Sequence, residues 1–417
     1  MMDRRVVVTG MGIVSPVGND VASFWNALRG GVCGVGPITR FDASRLDCRI
    51  AAEVKGFSPE AHMDPKDAKR MALFTQYALV ATLEAWRDAG FVPGGAGPDP
   101  LRSAVILGNG IGGNEVDLDA HNRLFEKGPG RIPPLTIPKI IANEAAGNIS
   151  MALGAKGRAH AVVTACASGT DAMGIALDLL RVGRADVIIT GGTEATINEY
   201  AIGSFCSLRA LSTSYNDTPA RASRPFDANR DGFVMGEGAG ILVLETADHA
   251  LRRGARIHAE LAGYGGTADA FHLTAPDPEG DGAARAMAEA LRDAGMQPAD
   301  IDYINAHGTA TQINDPIETK AIKRAFGEHA RRLAVSSTKG MTGHCIGGAG
   351  GIEAVISILA LRDQFLPATI NRDQPDPECD LDYVPNIGRS APVRAVMSNS
   401  LGFGGHNGVV VFRPWRP

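Results

Sequence analysis

In Val162-Val163-Thr164-Ala165-Cys166-Ala167-Ser168-Gly169-Thr170 an apolar, β-branched run gives way to small residues. A helical pattern follows over Thr170–Arg181, which predicts a buried strand, a tight turn carrying Cys166, and a helix. Small neighbours leave room for a ligand, and a helix N-terminus favours a thiolate. On such a turn the backbone N–H of Cys166 is also placed to meet an oxyanion. A cysteine between alanines reads equally as an inert core residue. Cys33, Cys48, Cys206 and Cys379 lack comparable surroundings, and Cys345 is a weak second candidate because it abuts a histidine.

Two of the ten histidines lie in Gly- and Thr-rich turns after strand-like segments. His307 sits in Asn305-Ala306-His307-Gly308-Thr309-Ala310-Thr311, and His344 in Lys339-Gly340-Met341-Thr342-Gly343-His344-Cys345. Such loops hold an imidazole in fixed orientation for acid–base work or for hydrogen bonding to a developing anion. One sulfur and two imidazoles suit thioester chemistry: sulfur accepts an acyl group, and two N–H donors hold an enolate oxygen. Each histidine alone reads as well as a satisfied loop residue. Metal ligation is not expected, because no HExxH motif, cysteine pair or histidine cluster accompanies them.

Lys339 and Glu353 add a charged pair that would orient His344 or its waters, or form an ordinary surface salt bridge. In Asn399-Ser400-Leu401-Gly402-Phe403-Gly404-Gly405-His406-Asn407-Gly408 one large ring stands among glycines, which suits a gate or a backbone oxyanion donor. Phe233, in Asp231-Gly232-Phe233-Val234-Met235-Gly236-Glu237-Gly238, would wall the same chamber or serve architecture alone. No GxGxxG fingerprint with a following acidic residue occurs, and Gly110-Ile111-Gly112-Gly113 lacks a P-loop lysine, so no nucleotide or other cofactor is expected.

The elements that must position these residues are also legible. Short β-branched runs at Val6–Val8, Val105–Leu107, Val162–Val163, Val187–Ile189, Ile241–Leu244, Val393–Met397 and Val409–Phe412 read as buried strands. Met71–Ala89, Thr170–Arg181, Gly282–Ala294 and Gly351–Arg362 read as helices, giving layered α/β packing. Trp86-Arg87-Asp88-Ala89-Gly90 recurs about 205 residues later as Leu291-Arg292-Asp293-Ala294-Gly295, each followed by a short strand and a polar turn. This predicts a duplicated α/β unit with halves at 1–255 and 256–417, the first carrying the cysteine and the second both histidines.

Composition sets the outer bounds. The 417 residues exceed a small disulfide-stapled scaffold, and 44% hydrophobic with 21% charged residues supports a packed core. A net charge of −5 gives no field suited to nucleic acid. Six scattered cysteines point to a reducing compartment. Met1-Met2-Asp3-Arg4-Arg5 leads into an apolar run too short for a secretory segment, and no stretch is long enough to cross a bilayer, so a cytoplasmic location is expected.

Five motifs in order resemble the beta-ketoacyl-[acyl-carrier-protein] synthases of the elongating type, closest to the synthase II group, across essentially the whole chain. They are Val6-Val7-Val8-Thr9-Gly10-Met11-Gly12, Thr164-Ala165-Cys166-Ala167-Ser168-Gly169, Asn305-Ala306-His307-Gly308-Thr309, Ser337-Thr338-Lys339-Gly340-Met341-Thr342-Gly343-His344 and Asn399-Ser400-Leu401-Gly402-Phe403-Gly404-Gly405. The resemblance implies a thiolase-like fold: two halves of mixed five-stranded sheet and helices in five alternating layers, usually as a homodimer. It implies Cys166 as nucleophile, His307 and His344 as the active-site imidazoles, and Lys339, Glu353, Thr309, Thr311 and the gating Phe403 as supporting residues. It places Ile111, Leu135 and Ile137 at the acyl pocket near the dimer interface; Phe205, Phe233 and Leu401 are expected to line the same pocket.

The implied partner is acyl carrier protein bearing acyl and malonyl groups, and the implied reaction is decarboxylative condensation to a 3-oxoacyl carrier protein. Lys66, Lys69, Arg70, Lys127 and Arg131 would dock that acidic partner, or simply form solvated faces. Gly340, Leu401 and His406 stand where Ser, Phe and Thr are frequent in the group, and Leu401 beside the gate puts chain-length preference in doubt. A thiolase would need a second cysteine in the last loop, which holds none. The open alternative is the condensing subunit of a type II polyketide synthase, paired with a different subunit.

Overall fold

The computed structural model describes residues 4–92, 95 and 97–416; Met1, Met2 and Asp3 lie outside the described residues. Ten strands form one sheet: β1 (Val6–Val14), β2 (Ser103–Gly108), β3 (Ala159–Val162), β4 (Val187–Glu194), β5 (Gly238–Thr246), β6 (Ala259–Ala268), β7 (Tyr303–Asn305), β8 (Ala334–Ser336), β9 (Val396–Gly402) and β10 (His406–Arg413). Their order across the sheet is β8-β7-β9-β10-β6-β1-β5-β4-β2-β3. The helices that position the site are α1 (Leu73–Asp88), α2 (Asn114–Lys127), α3 (Thr136–Ile140), α4 (Ser168–Arg181), α5 (Glu199–Ser207), α6 (Asp281–Asp293), α7 (Asn314–Phe326) and α8 (Ala349–Asp363).

The sheet is two copies of one five-strand pattern. In the first, β1 and β5 are antiparallel, β5 and β4 antiparallel, and β4, β2 and β3 parallel. In the second, β6 and β10 are antiparallel, β10 and β9 antiparallel, and β9, β7 and β8 parallel. Among the described residues, the strand pairs Val7–Glu260 and Val8–Ala259 join the two patterns, between β1 and β6. So short a seam lets the two five-strand sheets fold over each other.

Helices α4 and α8 lie between them. Helix α4 touches β2 and β4 on one side and β6 and β10 on the other, while α8 touches β4, β5 and β9. From Ala349 to Leu361 every residue of α8 is buried, as an all-round apolar helix should be. Helix α1 covers the outer face of the first sheet and α6, backed by α7, that of the second, completing five alternating layers.

Small residues make the outer layers fit. A Cβ on Gly10 or Gly12 of β1 would stand 2.0 Å and 1.9 Å from the Ala85 and Ala81 carbonyl oxygens of α1. Gly263 and Gly265 of β6 meet the Ala290 and Ala286 carbonyls of α6 at 2.5 Å and 2.1 Å in the same way. The duplication is therefore written in packing as well as in strand order.

All four expected helices form, within two residues of their expected ends. The expected strand at Val162–Val163 needs correction: β3 ends at Val162, which is only part-buried, and Val163 is 56% exposed. The reason is position, because β3 is the sheet edge and has a neighbour on one side alone. Strand β9 likewise begins at Val396, three residues after the expected Val393. No helix among the described residues is long and apolar enough to cross a membrane.

Candidate active site

The functional candidates leave the carboxyl ends of parallel strands, where α/β sheets gather their ligands. Ile111 follows β2, Cys166 follows β3, His307 follows β7, His344 follows β8 and Phe403 follows β9. Folding the two sheets over the central helices brings both sets of loops to one chamber.

Between β3 and α4 the chain turns through Ala165, whose φ of 50° is unusual for a residue with a side chain. Ser168 staples the turn, its Oγ donating to the Ala165 carbonyl at 2.6 Å and accepting from the Thr164 amide at 2.9 Å. Cys166 is thereby presented at the head of α4. Gly402 lies flat against the turn: a Cβ there would sit 3.2 Å from the Cys166 nitrogen. This close approach lets the next residue, Phe403, aim its backbone N–H at the Cys166 sulfur.

Burial pushes the Cys166 thiol up to about 12, against the opposing pull of the Lys339 charge and the Phe403 amide. The expected thiolate at a helix start is thus corrected. The donors are present, but desolvation outweighs them, and the resting sulfur carries its proton. Cys345, the weaker candidate, is buried with its sulfur directed at the Glu237 carbonyl, 3.4 Å away, and lies outside the chamber.

His307 and His344 meet edge to face, ring centroids 5.1 Å apart and planes at 87°. Their ligand nitrogens and the Cys166 sulfur all lie within 4.8 Å of one another. Burial first, then the Lys339 charge, holds both imidazoles well below their ordinary pKa, and for His307 the neighbouring His344 adds to this. Both rings are therefore neutral, each with one donor and one acceptor nitrogen. Three close ligand atoms could hold a cation, but the Lys339 charge beside them opposes one.

Lys339 forms a buried ion pair with Glu353, the two side chains 1% and 3% exposed. Burial drives Glu353 upward against the Lys339 charge. The surface salt bridge considered above is excluded by this placement.

Backbone contacts fix both imidazoles. The His344 amide donates to the Val234 carbonyl at 2.8 Å and the Gly236 amide to the His344 carbonyl at 2.9 Å, so the glycine cluster around Phe233 braces this loop. The Phe233 ring meets His344 edge-on at 5.3 Å. Glu318 of α7 accepts from the His307 and Gly308 amides at 2.8 Å and 2.7 Å. Glu194, at the end of β4, does the same for Gly110 and Gly347, at 2.8 Å and 3.1 Å. The sequence reading missed both carboxylates; nothing local distinguishes them from solvated acids.

A cavity of about 470 Å³ opens over the three residues. Ile111, Phe205, Phe233, Leu401 and Phe403 give it an apolar wall, with Thr309 and Thr311 toward the polar side. Phe205 packs against Phe233 and Phe403, with centroids at 5.5 Å and 6.5 Å. Leu135 and Ile137 do not join this wall: they flank and occupy α3 at the surface, 43% and 65% exposed. The chamber offers a thiol, two backbone amides facing it, two neutral imidazoles and apolar space.

Residues 3–250 match the family model "Beta-ketoacyl synthase, N-terminal domain" and residues 258–373 "Beta-ketoacyl synthase, C-terminal domain". The chain is 52% identical over 412 residues to 3-oxoacyl-[acyl-carrier-protein] synthase 2 of Staphylococcus aureus strain N315, covering 99% of this chain and 98% of the relative. It is 51% identical over 413 residues to the synthase of the same name from Synechocystis, covering 99% of each. A type II polyketide ketosynthase, solved with its acyl-carrier protein and bound to a hexaketide, superposes with a TM-score of 0.92 at 36% identity, covering 99% of this chain and 100% of that one. The chain belongs to the beta-ketoacyl synthase family.

Proposed function

We propose that the protein condenses malonyl-[acyl carrier protein] with an acyl group held on Cys166, releasing carbon dioxide and 3-oxoacyl-[acyl carrier protein] in fatty-acid elongation. One observation carries the reading: the Cys166 sulfur and the imidazole nitrogens of His307 and His344 lie within 4.8 Å of one another, at one apolar cavity.

In the first stage the Cys166 sulfur attacks the carrier-bound acyl carbon, the carrier's thioester C–S bond breaks, and the thiol proton passes through a neutral imidazole to the departing carrier thiol. The Cys166 and Phe403 amides face the oxyanion formed on the way. In the second stage malonyl carrier protein enters. Its C–CO₂ bond breaks, the electron pair moves onto the thioester carbonyl, and N–H donors of His307 and His344 hold the enolate oxygen. The enolate carbon attacks the acyl carbon on Cys166 and expels the sulfur, which recovers a proton. Neutral rings suit this step, because each can donate to the enolate without giving up a full proton. Lys339 and Glu353 support that state, and Phe403 gates the chamber.

The halves divide at residue 255, between β5 and β6. A second copy covers the free edge of β3 and the apolar surface around Phe125, Leu135, Ile137 and Val163, all exposed in the single chain. Lys66, Lys69, Arg70, Lys127 and Arg131, all exposed, receive the acidic carrier protein. Six free cysteines fit a cytoplasmic location.

The polyketide reading stands second, favoured by the ketosynthase superposition, and the higher identity to the synthase 2 relatives places it there. Mass spectrometry of products from malonyl carrier protein and acyl primers of graded length decides between them. Single two-carbon extension of saturated primers supports elongation, and iterated poly-keto products support the alternative.

A further inference from the structure

Resting on the functional reading above, we propose that Arg230 is a positioning residue for the carrier-bound substrate, holding the 309–312 loop in the shape that turns Thr309 and Thr311 into the cavity. Arg230 touches neither Cys166 nor the histidines; it acts through the loop.

Its side chain is 5% exposed and is held from several directions. Nε donates to the Thr311 carbonyl at 2.9 Å and Nη2 to the Gln312 carbonyl at 3.2 Å. Nη1 donates to the Asp227 carbonyl at 2.9 Å and also to Asp376. Asp315, fully buried at the start of α7, lies 3.9 Å from Nε. The preceding carbonyl, that of Ala310, accepts from the Gly232 amide at 3.1 Å.

Three consecutive carbonyls are therefore drawn toward one short segment, Arg230–Gly232. The strain this imposes is visible, since Ala310 has a φ of 66°, in the left-handed region that alanine avoids. A residue stays there only where its surroundings over-determine it. What the constraint achieves is side-chain direction. Thr309 and Thr311 line the cavity with their Oγ1 atoms 3.2 Å apart, a pair of hydroxyls facing any amide-bearing arm that threads toward Cys166.

The planar guanidinium fork suits two successive carbonyls, which an ammonium cannot match. A buried ion pair is also weak evidence for stability, because desolvation offsets its attraction. Positioning is the more economical account of why so costly a group sits behind this loop.

The test compares one acyl group delivered on carrier protein and on ethanethiol, a short thiol that carries no amide, using Arg230→Lys and Arg230→Gln. In both variants the KM for the carrier-bound acyl group rises about tenfold, while kcat and the rate of Cys166 acylation by the short thioester stay within about twofold. Hydrogen exchange at amides 310–314 quickens. Equal losses on both substrates, or an unchanged KM, overturn the proposal. If the Arg230 variants do not fold, Asp376→Asn, which frees the far side of the guanidinium, is read the same way: a KM rise confined to the carrier-bound substrate supports positioning, and its absence overturns it. Failure of the unaltered protein to become acylated by carrier-bound substrate overturns the functional reading itself, before any variant is made.

Discussion

The charge of buried Lys339 acts on the His344 imidazole and, second only to burial, holds it neutral. The same charge acts on His307. This charge thus adds to the burial that keeps both rings neutral, and its partner Glu353 keeps it in place.

Replacing Lys339 by Met should therefore raise both imidazole pKa values toward the ordinary ~6.5. The direction follows from charge: without a neighbouring cation the protonated ring is less disfavoured, so protonation sets in at higher pH. We expect the acid limb of malonyl decarboxylation to move to higher pH in Lys339→Met, with activity at pH 8 reduced less than activity at pH 6. A uniform loss at every pH would contradict this.

The raised Cys166 thiol gives a distinct signature. With a pKa pushed up to about 12, its thiolate fraction grows about tenfold per pH unit through the neutral range. Alkylation of Cys166 by iodoacetamide, followed by peptide mass spectrometry, should climb from pH 6 to 9 without levelling off. A plateau near pH 8 would show an activated thiolate instead.

Glu318 has two backbone amides to satisfy, and a glutamine offers one carbonyl oxygen for them. Glu318→Gln should lower stability by about 1–3 kcal/mol in denaturant unfolding. Misplacement of the His307 loop should cut decarboxylation about tenfold or more. Lost stability without lost activity would reduce Glu318 to a purely structural role.

Charge reversal at Lys69 and Arg70 should raise the apparent KM for carrier-protein substrates and leave short acyl thioesters untouched. Equal loss on both would remove the docking role from this exposed pair.

Cys166 and both imidazoles were legible because each sits in a turn of small residues after a strand, a local pattern. So were α1, α4, α6 and α8: α4 and α6 are amphipathic, and α1 and α8 are long, largely apolar stretches. Strand β6 was not read: its Ala-Glu-Leu-Ala-Gly-Tyr-Gly-Gly-Thr-Ala sequence lacks the β-branched run that marks a strand, and pairing with β10 makes it one. Val163 read as buried because edge position is a property of the assembled sheet. Glu194 and Glu318 are two among 46 acidic residues, set apart only by the tertiary fold that buries them. The thiol pKa failed for the same reason. A helix start is local, whereas desolvation depends on everything packed around it.

Acylation of Cys166 can be caught by intact-protein mass measurement after mixing with acyl carrier protein loaded with a primer. We expect a single acyl adduct that maps to Cys166, disappears on adding malonyl carrier protein, and is absent from Cys166→Ala. Continued formation of 3-oxoacyl product by Cys166→Ala, or with this thiol permanently blocked, would contradict it.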